Sequence, residues 1–224
     1  MTLQEAIAAY SRTNLTETND WYHWPVNPSF LPKGVVLPEG SCYAQNVALK
    51  IQLNALYSSA DDQVKKEITH YYISKWGGIK KNTDEKIRSY ALDVPASLIA
   101  KGYQGIASWS KALCIRCPND YAVYDARVAL SLNCLQIIAA VDRPAMFPLL
   151  TGQNKRINSG SRMVRQYATK HGWPAAKEGS FYLKYNNILS SAAKLIDTNL
   201  YTLEMLLFAK APGLLQEAFP EEKF

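Results

Sequence analysis

Apolar residues recur at intervals of three and four along most of the chain, the spacing that places side chains on one face of an α-helix. No stretch shows the alternation of apolar and polar residues, followed by a hairpin turn, that is typical of β-strands. The pattern predicts an all-α fold with about nine or ten helices. We expect helices within 1–18 and at about 41–57, 61–75, 84–92, 95–101, 107–116, 125–140, 161–171, 180–197 and 200–218.

Several of these helices have a recognisable first residue. Ser41, Asp61 or Asp62, Thr83 and Ser161 each precede a periodic run, and short polar side chains are favoured at such positions because they accept a backbone N–H. For the helix from Ser41 we expect an apolar face formed by Val47, Ile51, Leu53 and Leu56. The run from Leu203 to Phe208 is apolar on nearly every side, which predicts a buried core helix.

The length of 224 residues suits one compact unit, here expected to contain two helical lobes with a cleft between them. Prolines and aromatic residues crowd the stretch from Trp21 to Pro32 and exclude a regular helix there. We divide the chain into an N-terminal aromatic and proline-rich segment, a helical lobe that includes a hairpin at 102–111, and a basic helix followed by the C-terminal core helices. The three segments are 1–40, 41–140 and 141–224.

The formal net charge is +6, and its distribution says more than its size. Seven basic residues and no acidic residue lie between Arg143 and Lys177, and the window Val94–Asn119 has three basic residues and no acidic one. A solubilising surface usually mixes both signs, so acid-free windows favour a polyanionic partner. The alternative is chance clustering of charges on a solvated face.

Other classes of protein find little support in the sequence. The start of the chain has no basic n-region, and no apolar stretch is long enough to cross a membrane, so we expect a cytoplasmic protein without membrane contact. Cys114 and Cys117 have CxxC spacing but lack a second ligand pair, and the three histidines are scattered. We therefore expect no metal and no cofactor, and we expect a monomer.

One region of the sequence resembles a known family. The stretch Tyr103-Gln-Gly-Ile-Ala-Ser-Trp-Ser-Lys111, followed by Asp125 at the head of a helix, resembles the helix-hairpin-helix base-excision DNA glycosylases. Their signature is a hairpin of type L-P-G-[VI]-G, then a catalytic Lys or another residue, then an Asp at a helix start. The longer run from Trp109 to Val128 looks like the bacterial 8-oxoguanine-glycosylase-like and 3-methyladenine-glycosylase-like branch. The resemblance implies a helix-hairpin-helix glycosylase fold and removal of a base from DNA.

The sequence departs from the family pattern at two places. Ala107 stands where the hairpin has its second glycine, and Trp109 falls at the position of the nucleophile, as it does in the monofunctional 3-methyladenine branch. Lys111 lies two residues further along the chain. Both hydrolysis alone and hydrolysis with AP-lyase activity therefore remain open.

The chemistry of base removal gives Asp125 and Lys111 definite candidate roles. Breaking the N-glycosidic bond builds positive charge on the sugar, and a rigidly held carboxylate near the anomeric carbon stabilises that charge. Asp125 is the candidate carboxylate, although Asp at a helix start can also act only as a cap. Lys111 is a candidate Schiff-base nucleophile, or an ordinary helix lysine.

Further residues are candidates for contact with DNA. Hairpin amides at a helix start can bind a phosphate, basic residues can pair with the backbone, and aromatic rings can surround a base that has left the stack. The DNA-binding candidates are Asn82, Gly105, Ile106, Ala107, Ser108, Asn154, Lys155, Arg156, Arg162 and Arg165, and the base-pocket candidates are Trp24, Trp76, Trp109, Tyr121 and Tyr124.

Three functions are compatible with these observations. The first is a DNA N-glycosylase that flips out and excises a modified or damaged base in DNA repair. The second is a non-catalytic helix-hairpin-helix DNA-binding module. The third is a phage-defence protein whose glycosylase fold acts on modified foreign DNA.

Overall fold

The computed structural model describes residues 1–222 and is all-helical. Ten α-helices lie within these residues, and a short 3₁₀ turn at Pro28–Phe30 and a π-helix at Tyr71–Trp76 accompany them. The helices are α1 Leu3–Asn14, α2 Cys42–Ser59, α3 Asp62–His70, α4 Asp84–Leu92, α5 Pro95–Ile99, α6 Ile106–Arg116, α7 Ala126–Ile138, α8 Lys155–Lys170, α9 Phe181–Leu195 and α10 Leu200–Ala218. The predicted all-α class is confirmed, whereas a glycosylase-like fold with a cleft between two lobes remains a prediction.

Most predicted helix starts are correct because short polar side chains cap them. Ser41, Asp61 and Thr83 accept backbone N–H groups at the starts of α2, α3 and α4. The predicted start at Ser161 is wrong, because the Asn154 side chain caps the helix and α8 begins at Lys155. Lys155 and Arg156, which precede the predicted helix start, therefore belong to the first turn of α8.

The predicted apolar face of α2 is partly wrong. Ile51 is 51 % exposed, whereas Asn46 and Lys50 are buried beside Leu49 and Leu53. The buried face of α2 thus includes two polar side chains. Amide and amine groups of this kind are tolerated in an interior when they find hydrogen-bond partners there.

Packing divides the chain into two compact units. We name residues 1–15 together with the chain from Tyr124 onward the terminal unit, and residues 16–123 the central unit. The predicted segments 1–40, 41–140 and 141–224 follow other boundaries and remain a prediction. Within residues 1–222, no helix combines the length and the apolarity needed to cross a bilayer.

The terminal unit is built around α7 and α10, which pack against each other along much of their length. The segment Leu203–Leu207 of α10 is buried, as its apolar sequence predicts. Helix α8 packs on both α7 and α10, and α1 packs on α9. This arrangement leaves one side of α8 facing solvent.

The central unit consists of α2 to α6 with the 3₁₀ turn and the π-helix. Its helices pack as α2 against α6 and α3 against α4. A cluster of apolar side chains from several elements fills the interior, namely Val26, Val35, Leu49, Leu53, Ile68, Tyr71, Tyr72 and Ile115. Burial of such side chains stabilises each by roughly 1.5–3 kcal/mol relative to exposure.

Gly160 allows α8 to approach α10 closely, and its replacement tests this contact. A Cβ atom at residue 160 would lie 2.6 Å from both Cδ atoms of Leu215, which is wholly buried. We expect Gly160→Ala to lower the free energy of unfolding, because overpacking costs about 1–3 kcal/mol and exceeds the gain of roughly 0.5–1 kcal/mol from removing a helical glycine.

Gly213→Ala is the matched control, because no atom lies within 4 Å of a Cβ atom built at that helical glycine. Urea denaturation should show the control to be neutral or stabilising. Equal free energies of unfolding for Gly160→Ala and the wild type would contradict the close contact.

Candidate functional site

Asp125 is the N-cap of α7. Its Oδ1 atom accepts the backbone N–H groups of Arg127 and Val128 at 2.9 and 3.0 Å. Two hydrogen bonds to one oxygen fix the carboxylate at the positive end of the helix dipole. The side chain is half-buried, and among residues 1–222 no hydrogen bond engages its Oδ2 atom.

The connection after α7 returns along that helix and is held by buried amides. Gln136 exchanges two hydrogen bonds with the backbone of Ala145, of 2.9 and 3.0 Å, and Asn133 does the same with Phe147, at 3.0 and 3.1 Å. Asn133 and Gln136 are buried in α7. Each amide uses both its donor and its acceptor, so the pairing fixes the direction in which the connection runs.

Closer to the start of α7, Tyr124 holds the same connection. Its hydroxyl donates to the Pro148 carbonyl at 2.8 Å, and its wholly buried ring packs edge-on against Phe181 and Tyr185. Burial, and secondarily the charge of Asp125, raise the pKa of the Tyr124 hydroxyl well above its ordinary value. The hydroxyl therefore keeps its proton and remains a donor.

The connection ends beside Asp125. A Cβ atom at Gly152 would lie 3.3 Å from the Cβ atom of Ala126, the residue after Asp125. The Asn158 side chain accepts the N–H of Gly152 at 2.9 Å and donates to its carbonyl at 2.8 Å. The starts of α7 and α8 are therefore neighbours, and the predicted residues Asp125 and Asn154 lie in one region of the terminal unit.

Helix α8 presents a cationic side to solvent. Its buried residues Ile157, Val164 and Ala168 face the unit, whereas the basic residues Lys155, Arg162, Arg165 and Lys170 are exposed. We call these four exposed residues the α8 cationic face. Arg156 differs, because its guanidinium donates to the Pro212 carbonyl of α10 at 3.1 Å and so helps to hold α8 in place.

The predicted hairpin joins α5 to α6 in the central unit. Gly105 precedes α6 with φ of +68°, a left-handed conformation that glycine adopts without strain, and an added Cβ would meet the Tyr90 hydroxyl at 2.7 Å. Ile106 and Ser108 are buried, and the Asn82 side chain donates to the Ser108 hydroxyl at 3.0 Å. Side-chain contacts thus shape the hairpin from inside, whereas Tyr103 and Gln104 are exposed and Ala107 is half-buried.

Lys111 and Trp109 belong to the interior of the central unit. Lys111 is 5 % exposed, and its amine donates to the Ala107 carbonyl at 2.9 Å. Its methylene groups pack on Gly77, where a Cβ atom would lie 2.6 Å from the Lys111 Cε. Trp109 is wholly buried, and its indole N–H donates to the Gln104 carbonyl at 3.0 Å. Both side chains therefore have structural roles in this conformation.

The aromatic candidates for a base pocket lie in several parts of the structure. Tyr124 is part of the interior of the terminal unit, whereas Tyr121 is half-buried near the end of the central unit. Trp24 and Trp76 come together in the central unit, where they line a pocket of about 310 Å³ with Phe30, Tyr71 and Lys75. The structure thus joins two of the five candidates in one concave site.

Sequence reasoning missed the amides that hold the site together. Asn133, Gln136 and Asn158 were not singled out, although Asn133 and Gln136 interrupt a largely apolar helix. A polar side chain on a buried face signals an internal hydrogen-bond partner, because burying an unpaired amide is unfavourable. The sequence could therefore have indicated that these amides make internal hydrogen bonds, but not which backbone groups they bind.

Neither a metal-binding cluster within the described residues nor a similar known protein was found. In the part of the chain that the structure describes, residues 1–222, no group of three or more His, Cys, Asp or Glu side chains is placed to hold a metal ion. Comparisons with models of protein families, with curated proteins and with solved structures found no match.

The capping role of Asp125 can be measured separately from any chemistry. We expect Asp125→Ala to lower the free energy of unfolding by about 1 kcal/mol, since two backbone N–H groups at the start of α7 lose their acceptor. Asp125→Asn should cost less, because its amide oxygen still accepts them. Urea denaturation of the three proteins tests this order, and equal losses for Ala and Asn would contradict it.

Proposed function

We propose that this protein is a monofunctional DNA N-glycosylase in which Asp125 is the catalytic carboxylate. The observation that carries the proposal is the geometry of Asp125: one carboxylate oxygen anchored by two backbone N–H groups, in a half-buried position beside the start of a cationic helix. An anchored carboxylate needs no reorganisation when positive charge develops on a nearby sugar. The resemblance to helix-hairpin-helix glycosylases supplies the substrate class.

In the proposed reaction the bond between the sugar C1′ and the base nitrogen breaks and the base departs. Charge on the sugar is stabilised by Asp125, whose Oδ2 atom can also orient the attacking water. The water oxygen bonds to C1′, and its proton is released as the departing base takes one up. The base must first leave the duplex stack to be reached.

The α8 cationic face is the principal contact with the DNA backbone in this proposal. This face pairs with phosphates near Asp125. The start of α6 offers few donors, because the N–H groups of Ile106 and Ser108 already donate to the carbonyls of Tyr103 and Gly105, at 3.4 and 2.8 Å. The side chains of Ile106 and Ser108 are buried and contribute to hairpin shape instead.

The position of Lys111 favours hydrolysis without lyase activity. A Schiff base needs an amine that reaches the sugar, and the Lys111 amine is bonded to a carbonyl of its own helix with its side chain packed on Gly77. Strand breakage should therefore follow base release only after alkali treatment. Borohydride trapping of a covalent protein–DNA complex would contradict the monofunctional assignment.

A non-catalytic DNA-binding module is the second candidate. The α8 cationic face favours it, because phosphate pairing by exposed Arg and Lys side chains needs no catalytic group. This candidate predicts salt-sensitive binding with no base release from any substrate.

Excision assays with Asp125 variants test the catalytic proposal. Duplex oligonucleotides carrying alkylated, oxidised, deaminated or hypermodified bases are incubated with the protein and then treated with alkali. Asp125→Asn should lower the rate of base release about 100-fold or more while the protein stays folded, since a neutral amide stabilises positive charge poorly.

Asp197→Asn is the control for Asp125→Asn, because Asp197 is an exposed carboxylate elsewhere in the terminal unit. It should release bases at the wild-type rate. Full activity of Asp125→Asn would show that the catalytic carboxylate is another residue, and no release from any substrate would leave the binding module as the function.

Salt dependence tests the α8 cationic face. For the double variant Arg162→Gln and Arg165→Gln, we expect weaker duplex binding and a slope of log affinity against log salt that is smaller by about 2, because each lost phosphate contact removes about 0.9. Fluorescence anisotropy at several salt concentrations measures the slope.

Lys194→Gln removes an exposed charge from α9 and is the matched control. Its slope should change by less than that of the double variant. Equal slopes for the wild type and the double variant would remove α8 from the interface.

A further inference from the structure

The aromatic pocket of the central unit is a concave site that the proposed excision chemistry does not use. Its volume of about 310 Å³ is at the small end of the range of roughly 300–1,000 Å³ in which ligand pockets fall. Four aromatic rings line it, those of Trp24, Phe30, Tyr71 and Trp76. Tyr71 and Trp76 are the first and last residues of the π-helix, a rare conformation that is frequent at functional sites.

The two tryptophans of this pocket are fixed by a single buried amide. Asn46 accepts the Trp76 indole N–H at 2.7 Å and donates to the Trp24 carbonyl at 2.8 Å. The Trp24 indole N–H donates to the Trp76 carbonyl at 3.3 Å, which closes the network. Since these polar groups bond within the protein, the rings are held in place and the pocket needs little ordering when a ligand binds.

The Trp76 ring lines the pocket and is already part of a stack. It stacks on Tyr72, with ring centroids 4.2 Å apart and planes inclined by 5°. Trp24 lines the same pocket and is T-shaped to Trp76, with planes inclined by 66° and centroids 6.4 Å apart. A flat ring inserted into the pocket would extend the stack that Tyr72 and Trp76 begin.

The remaining lining groups select the charge of the ligand. The Lys75 amine lies 4.7 Å from the centre of the Phe30 ring, and the residues lining the pocket include no carboxylate. A cationic ligand would be repelled by Lys75 and would find the Phe30 ring already paired with a cation. Burial raises the pKa of Tyr71 to about 12, so its hydroxyl adds no negative charge near neutral pH.

We propose that this pocket binds one nucleotide unit, with its base stacked on Trp76 and its phosphate paired with Lys75. A planar aromatic ring carrying an anionic group matches both the stacking face and the single cation. The unit can be a free nucleotide or one residue of a single strand, since both present the same chemistry. Binding here is independent of base excision, so the inference can hold whether or not Asp125 is catalytic.

The test is calorimetric titration of the full chain with three probes. These are a thymidine monophosphate, a short oligothymidylate, and an abasic oligonucleotide of the same length. Binding of the monophosphate identifies a site for free nucleotides, whereas binding of the oligothymidylate alone identifies a strand site. Both results support the proposal, and an abasic strand that binds as tightly as oligothymidylate overturns it.

Pocket variants separate this site from other anion-binding surfaces. Phe30 and Lys75 are exposed, so Phe30→Leu and Lys75→Gln should leave the fold intact. Each should weaken binding several-fold, and Trp76→Leu should weaken it about tenfold or more, since stacking of a base contributes about 1–3 kcal/mol. Phe30→Tyr should retain binding, because it keeps the aromatic ring.

Lys86→Gln removes an exposed charge from α4 and is the control for Lys75→Gln. Unchanged affinity in both Phe30→Leu and Lys75→Gln, or no binding of any probe to the wild type, would overturn the nucleotide pocket. Asp125→Asn should bind the probes as the wild type does. A failure of the excision proposal and a failure of this one therefore give different results.

Discussion

The hydrogen bonds of two buried amides in α7 decide what lies beside Asp125. Asn133 and Gln136 bind the backbone of the returning connection through both their donors and acceptors. Leaving such amides unpaired in the interior would cost about 1–3 kcal/mol each, so the connection is held to one path. Because that path leads to Gly152 and Asn154, the start of α8 and its cationic face follow from it.

In our proposal the carboxylate of Asp125 has two roles that use different atoms. Oδ1 satisfies N–H groups at the start of α7, and this local role requires only a short polar side chain. A role in charge stabilisation requires in addition a neighbouring surface that attracts a polyanion, which the α8 cationic face provides. In the aromatic pocket of the central unit a buried amide has a similar structural role, because the hydrogen bonds of Asn46 fix the two tryptophans.

Local signals in the sequence predicted the elements well. Ser41, Asp61, Thr83 and Asp125 each cap a helix because an N-cap depends on the side chain and the next three residues alone. The same rule applied to Ser161 gave a wrong start for α8, since Asn154 offers a cap about two turns earlier and most of the intervening residues are polar. Ile51 was placed on a buried face because periodicity cannot say which of two neighbouring faces the rest of the chain covers.

The sequence by itself determined the all-α class, most helix ends and the acid-free charge of the segment around α8. These properties depend on residues close together along the chain, where backbone hydrogen bonds and side-chain spacing act directly. Only the tertiary structure decided that Lys111 and Trp109 are interior, that Trp24 and Trp76 share a pocket, and that Asp125 lies beside the start of α8. Such juxtapositions join residues far apart in sequence, and they arise from close packing at Gly77 and Gly152 and from buried amides whose partners no local pattern identifies.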